Sequence, residues 1–211
     1  MISYLFQQPF IFLAWTVAFL LALSIHEFSH ALASTYLGDS TAKRMGRLTL
    51  NPMAHIDLIG FLAVFLIGFG WGKPVPYNPY NLKWQKWGPT MVAAAGPFSN
   101  LFLAALSIFL LVILAPKLGP NNLLVVFLYI SSQLNIALMV FNLIPLPPLD
   151  GSKPLLSFLS QPKYVVAKNF LETRGPMILL ILILADSFGG LGLFSGLFHI
   201  AYNFVTNLIS F

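Results

Sequence analysis

The sequence predicts an all-α polytopic membrane protein: a helical transmembrane core with re-entrant and short β elements. Three observations carry this. Hydrophobic residues make up 58% of the 211 positions and charged residues only 8%, against roughly 25% charged in soluble domains. The mean hydropathy is +0.83. The apolar residues fall in long runs, with the charges gathered between them. Such a chain cannot cover a water-exposed surface, which excludes an ordinary soluble enzyme, a disordered chain and a collagen-like one. The absence of cysteine excludes a disulfide framework, a thiolate metal site and a cysteine nucleophile. A net charge of +5 would suggest nucleic acid if the basic residues formed a patch. They are instead scattered at the ends of apolar runs, so they read as topology signals beside a lipid bilayer, with no nucleic-acid partner.

The elements follow in order. Residues 10–37 form the first apolar run, free of charge up to position 25. As a helix it is about 42 Å long, enough to cross a ~30 Å hydrocarbon core. It has no basic leader and no small-residue cleavage site, and it carries His26, Glu27 and His30, so a signal peptide is a poor reading. Residues 44–51 look like a short extended segment before Pro52. The apolar stretch 58–69 is about twelve residues where a span needs ~20, which predicts a re-entrant or buried segment. Trp84 and Trp87 beside Lys83 and Lys86 read as interfacial anchors. The second span covers about 89–115, with Ala93, Gly96, Asn100 and Ala104 at helical spacing, a small-residue stripe that lets helices approach closely. The third covers 122–143 and stops at Pro145. Residues 152–175 are read as a charged connector. Residues 176–211 are read as one span and a less defined segment, broken by Asp186 and Gly189-Gly190. The whole is expected to be one domain over 1–211, with its core at about 10–155 and its C-terminal helices at 176–211.

The chemistry concentrates at His26-Glu27-Phe28-Ser29-His30. Positions i and i+4 share a helical face, so both imidazoles can reach one metal. Glu27 lies beside them, placed to activate a water on that metal. Ionisable side chains inside an apolar helix are costly, about 2–3 kcal/mol each on insertion scales, and usually functional. The competing reading is a buried polar cluster that only holds helices together. A catalytic zinc takes three protein ligands and keeps one position open. The candidates for the third are His55, Asp57, Asp39, Asp150, Asp186, Glu172 and His199. Asp150 stands out because prolines at 145, 147 and 148 end the preceding helix and stiffen the loop that presents it. Asn135 and Asn142, seven apart, share a face of the third span, and Asn135 reads as an interhelical hydrogen-bonder. His55 and Asp57 fit a supporting or gating role about as well as loop capping.

Four segments together resemble the site-2 protease family of intramembrane zinc metalloproteases: HEFSH at 26–30, NPMAHIDLIG at 51–60, AAAGPFSN at 93–100 and NLIPLPPLDG at 142–151. The resemblance covers about residues 10–155 and suits a compact member, without the PDZ or CBS domains of larger ones. It implies one Zn²⁺ per chain on His26, His30 and Asp150, with Glu27 as the catalytic base. It also places Asn142, and less firmly Asn100, near the substrate or the reaction's oxyanion. The substrate it implies is a transmembrane protein or peptide, cleaved in or near its membrane segment. The alternative is a catalytically silent, zinc-stabilised membrane scaffold that binds other membrane helices. A divalent-metal transporter would spread polar ligands through several spans, and here they converge at one end.

Topology offers a separate check. One metal needs residues 26–30 and 150 on the same membrane face. A full span at 58–69 would put them on opposite faces, so that segment is expected to be re-entrant. Lys43, Arg44, Arg47, Lys73, Lys83, Lys86, Lys153, Lys163, Lys168 and Arg174 then lie on the active-site face, and Lys117 alone on the other. The positive-inside rule places that face in the cytoplasm of a multi-pass cell-membrane protein.

Overall fold

In the computed structural model, residues 6–67 and 70–209 are described. Helix α1, Pro9–Tyr36, opens with proline in its first turn, where the missing N–H costs nothing. It ends on a left-handed glycine, Gly38 at φ +110°, which lets the Asp39 amide donate back to the Ser34 carbonyl at 2.9 Å. Its hydroxyls stay satisfied without water: Thr16, Ser24 and Ser29 each donate to the carbonyl four residues back, at 2.8, 2.6 and 2.7 Å. A short helix α2, Thr41–Arg44, follows, and residues 45–51, expected to be extended, are turns and bends with no strand. Asp39 organises the start of this stretch. It accepts from the Thr41 hydroxyl and amide, the Asn78 amide and the Asn81 side chain, and so winds residues 39–44 into a turn.

Helix α3, Leu58–Ile67, is ten residues long, about 15 Å, half a membrane's thickness. Residues flanking this excursion meet again. Ile56 and Gly72 form an antiparallel bridge, and the Lys73 amide donates to the His55 carbonyl at 2.7 Å. The segment thus leaves and returns on one side, as the re-entrant expectation requires. Gly60 and Gly70 make the fold-back possible, since a Cβ on either would run into the other limb's backbone. Phe61 and Phe65 pack on Trp15 and Phe19 of α1, with ring centroids 5.6 Å apart for Trp15–Phe65 and 6.2 Å for Phe19–Phe61. That single bridge is all the β structure among the described residues. Pro74 and Pro76 remove the amide donors a longer ladder would need.

Helices α4, Gly88–Leu118, and α5, Leu123–Asn142, form a hairpin. Its turn uses Gly119 at φ +82° and an Asn122 cap that accepts from the Leu124 amide at 2.9 Å. α1, α4 and α5 are long and apolar enough to cross a membrane. They pack through small residues, Ala22, Ala31 and Ala104 being fully buried. Large apolar side chains such as Leu13, Phe102 and Phe109 point outwards, a surface suited to lipid rather than water.

After α5 come α6, Ser152–Phe158, then α7, Val165–Gly189, and α8, Leu193–Ile209. α7 begins eleven residues before the segment expected at 176. Its first turns hold the charged side chains that read as a connector, among them Lys168 and Glu172, 3.9 Å apart at helical spacing. Pro176 lies inside the helix instead of starting it. Asp186 accepts from the Leu193 amide at 2.6 Å and so caps α8 from across the glycine turn. α8 lays Val205 against Ala104, Ile108 and Ile136 and closes the bundle.

Candidate metal centre

The HEFSH segment lies on the inner face of α1, two turns before its end, with His26, Glu27 and His30 all buried. Asp150 reaches the same point from α5. The loop after α5 folds back on itself: the Gly151 amide donates to the Asn142 carbonyl at 2.6 Å, and a Cβ at Gly151 would strike the Leu143 carbonyl. This closure holds Asp150 against the end of α5, over the two imidazoles. His26 Nε2 and His30 Nε2 are 3.0 Å apart, and each is 3.2 Å from Asp150 Oδ2. Asp150 Oδ2 is buried and receives no hydrogen bond.

The protons are accounted for from behind. His30 Nδ1 lies 2.8 Å from the Val92 carbonyl, which can only accept, so the ring proton is on Nδ1. His26 Nδ1 faces Asn100 Oδ1 at 2.6 Å. In the neutral rings both Nε2 atoms then face Asp150 Oδ2 with lone pairs, an arrangement that a proton or a metal ion between them relieves. Two histidines and a carboxylate are a ligand set for a catalytic zinc, and each histidine uses its other nitrogen on a fixed acceptor, as metal-ligating histidines do. The residues fit the ion.

Helix α4 forms the wall behind this cluster. Val92, Gly96 and Asn100 are spaced by four and share one face. The outer two accept from the histidines, and Gly96 leaves room for the rings. A Cβ there would come within 2.5 Å of His26 Cε1 and His30 Nε2. In the sequence Gly96 read as part of a packing stripe and of the family-like segment 93–100, with no role of its own, and the Val92 carbonyl left no trace at all. Asn100, expected near substrate, stands behind His26 and not in the cavity lining.

The cluster lies in a cavity of about 470 Å³ lined mainly by apolar side chains. Glu27 is on its wall, as is Asn142, whose amide nitrogen donates to the Leu138 carbonyl at 3.0 Å. The lining also includes the irregular strip that follows α3, with Trp71, Gly72, Val75 and Tyr77. The other candidate ligands lie elsewhere. His55 is buried and turns Nε2 to the Thr49 carbonyl at 2.8 Å, and Asp57 caps α3 through the Gly60 amide at 2.9 Å. Asp39 pins its loop and Asp186 caps α8, while Glu172 and His199 are exposed.

Membrane-length helices gathered around two buried histidines and a carboxylate define a helical membrane protein with a candidate catalytic metal centre. Comparison with known proteins narrows the class. The chain is 37% identical over 175 residues to the "Putative zinc metalloprotease YwhC" of Bacillus subtilis, covering 79% of this chain and 78% of that one. It is 33% identical over 153 residues to the "Putative zinc metalloprotease Rip2" of Mycolicibacterium smegmatis, 67% of this chain and 55% of that one. It is 30% identical over 192 residues to the Mycobacterium tuberculosis protein of the same name, 85% of this chain and 70% of that one. No protein-family model and no solved structure matches. The chain belongs to the site-2 protease family of zinc metalloproteases.

Proposed function

We propose that the chain is an intramembrane zinc endopeptidase that hydrolyses peptide bonds in or near the transmembrane segments of other proteins. The observation that carries the reading is the convergence of one possible ligand atom each from His26, His30 and Asp150, all within 4.8 Å of one another, on a cavity with Glu27 on its wall. Zinc bound by His26, His30 and Asp150 supplies a Lewis acid that acidifies water and polarises a carbonyl. Glu27 accepts the proton of the attacking water and returns it to the leaving amine. Asn142 offers its amide to the substrate backbone or the developing oxyanion.

A transmembrane helix hides its carbonyls in its own hydrogen bonds, so the substrate unwinds before cleavage. The irregular strip at 70–77 lies along the cavity and is where the extended stretch of substrate rests. The metal cluster joins the C-terminal ends of α1 and α5, so both ends share a membrane face, and Lys117 stands at the opposite end of α4. The positive-inside rule makes the cluster's face cytoplasmic, and water reaches the ion from there. The test is co-expression with a panel of single-span membrane proteins, with Glu27→Ala as control. The reading expects fragments that appear with the wild type and vanish in the control. Fragments unaffected by Glu27→Ala would defeat it, and a silent scaffold gives no difference between the two.

A further inference from the structure

Behind His26 the polar side chains form a one-directional chain. Asn135 Nδ2 donates to the Ser131 carbonyl at 2.9 Å. Asn100 Nδ2 donates to Asn135 Oδ1 at 2.8 Å. Asn100 Oδ1 then accepts from His26 Nδ1 at 2.6 Å. Asn100 and Asn135 are 0% and 1% exposed, so no water competes with these contacts. The direction is set from the far end. The Ser131 carbonyl only accepts, and the Ser131 hydroxyl lies farther off at 3.4 Å and receives from Ser107, so Asn135 turns its nitrogen to Ser131 and its oxygen to Asn100. Asn100 must then turn its nitrogen to Asn135 and its oxygen to His26. The Ala22 carbonyl, 3.4 Å from the same nitrogen, weakly favours the same orientation.

The two histidines differ in how securely they are held. His30 rests on a main-chain carbonyl, which cannot reverse. His26 rests on an amide, which presents an acceptor or, turned by 180°, a donor. A reversed Asn100 would face His26 Nδ1 with an N–H, move the ring proton to Nε2 and aim it into the ligand cluster against a cation. We propose that Asn135, whose side chain hydrogen-bonds Asn100 and Ser131, is a positioning residue that fixes the orientation of Asn100 and through it the tautomer of His26. This rests on the zinc reading given above, and it separates from a plain interhelical contact because it acts on one ring proton.

The test uses the full chain in detergent with ¹⁵N-labelled histidine. The variants are Asn135→Leu, of similar volume, and Ser132→Ala. Ser132 is an equally buried neighbour on α5 that bonds only its own helix, at the Tyr129 carbonyl. In zinc-free protein, at a pH where the ring is neutral, wild-type His26 carries its proton on Nδ1. Asn135→Leu is expected to give a mixture with the Nε2–H form. In chelator competition it should weaken zinc binding by about 10- to 100-fold, the usual consequence of losing such a supporting contact. Ser132→Ala should change neither. Asn135→Asp is expected to restore both readouts: buried, the acid stays neutral, donating to Ser131 and accepting from Asn100. Asn135→Ala carries the same expectation as Asn135→Leu should the latter fail to fold. Wild-type tautomer and affinity in these two variants, or an equal loss in Ser132→Ala, would overturn the proposal. A wild type that keeps the Nδ1–H form yet binds no zinc would instead sink the zinc reading alone.

Discussion

Replacing Gly96 with alanine adds one methyl group at the most crowded point behind the metal cluster. It would stand 2.5 Å from His26 Cε1, 2.5 Å from His30 Nε2 and 2.6 Å from His26 Nε2. Ordinary carbon contacts begin near ~3.5 Å, so a ring or the helix must yield by about 1 Å. The rings are poorly placed to do so, because both are tied to the same helix that carries the new methyl: His30 to Val92 and His26 to Asn100. Overpacking of this kind costs about 1–3 kcal/mol. Spent on ligand geometry, that is roughly a 5- to 150-fold loss of zinc affinity, since 1.4 kcal/mol is about tenfold. Alanine is also the better helix former, so α4 itself should not weaken. Chelator competition measures the affinity, and thermal unfolding of the zinc-free protein measures the packing cost. A Gly96→Ala protein that binds zinc as tightly as the wild type would refute the placement of α4 against the two rings.

Other expectations follow from the loops and the tail. Burial alone would raise the Asp39 carboxyl, but hydrogen bonds from Thr41, Asn78 and Asn81 hold it below its ordinary value of 3.8. Its contribution to stability is therefore complete above that ordinary value and is lost as pH falls through the lower folded-state value. The difference in unfolding temperature between wild type and Asp39→Asn should shrink on acidification, and a constant difference would contradict this. Single cysteines at the exposed positions Asn51 and Asn81, in a chain with none of its own, should react with an impermeant reagent from the same side of the membrane. Opposite sidedness would refute the re-entrant fold of α3. Asp186→Ala removes the cap on α8 and should destabilise the protein by about 0.5–2 kcal/mol, read as a lower melting temperature with zinc affinity unchanged.

The candidate ligands that the structure brings together were legible because their chemistry is written in contiguous stretches. HEFSH places two imidazoles on one helical face by spacing alone, and the prolines before Asp150 announce a stiff loop at the end of a span. The short apolar run at 58–69 was legible too, since ten to twelve residues cannot cross a bilayer. What supports the site was legible only in part: Asn135 read as an interhelical hydrogen-bonder and does bond Asn100 of α4, and Gly96 read as a close-approach position, but the rings they serve were not. Gly96, Asn100 and Asn135 act across α1, α4 and α5, and nothing local to any of these helices says which face meets which. Gly96 thus looked like packing and Asn100 like a substrate contact, until the 92–96–100 face was seen against the two histidines. Hydropathy also misplaced the start of α7, because Lys168, Glu172 and Arg174 read as a loop. The same charges at helical spacing on an exposed face extend the helix instead.

The central claim, that a carboxylate beside the metal cluster performs hydrolysis without holding the metal, is tested most directly by Glu27→Gln. Gln keeps the volume of Glu27 and removes its basicity. Cleavage of a membrane substrate reconstituted with the protein is measured, and zinc content is read on the same sample. The expected result is a fall in rate of about 10²- to 10⁴-fold at unchanged zinc content, and cleavage at the wild-type rate would contradict the claim.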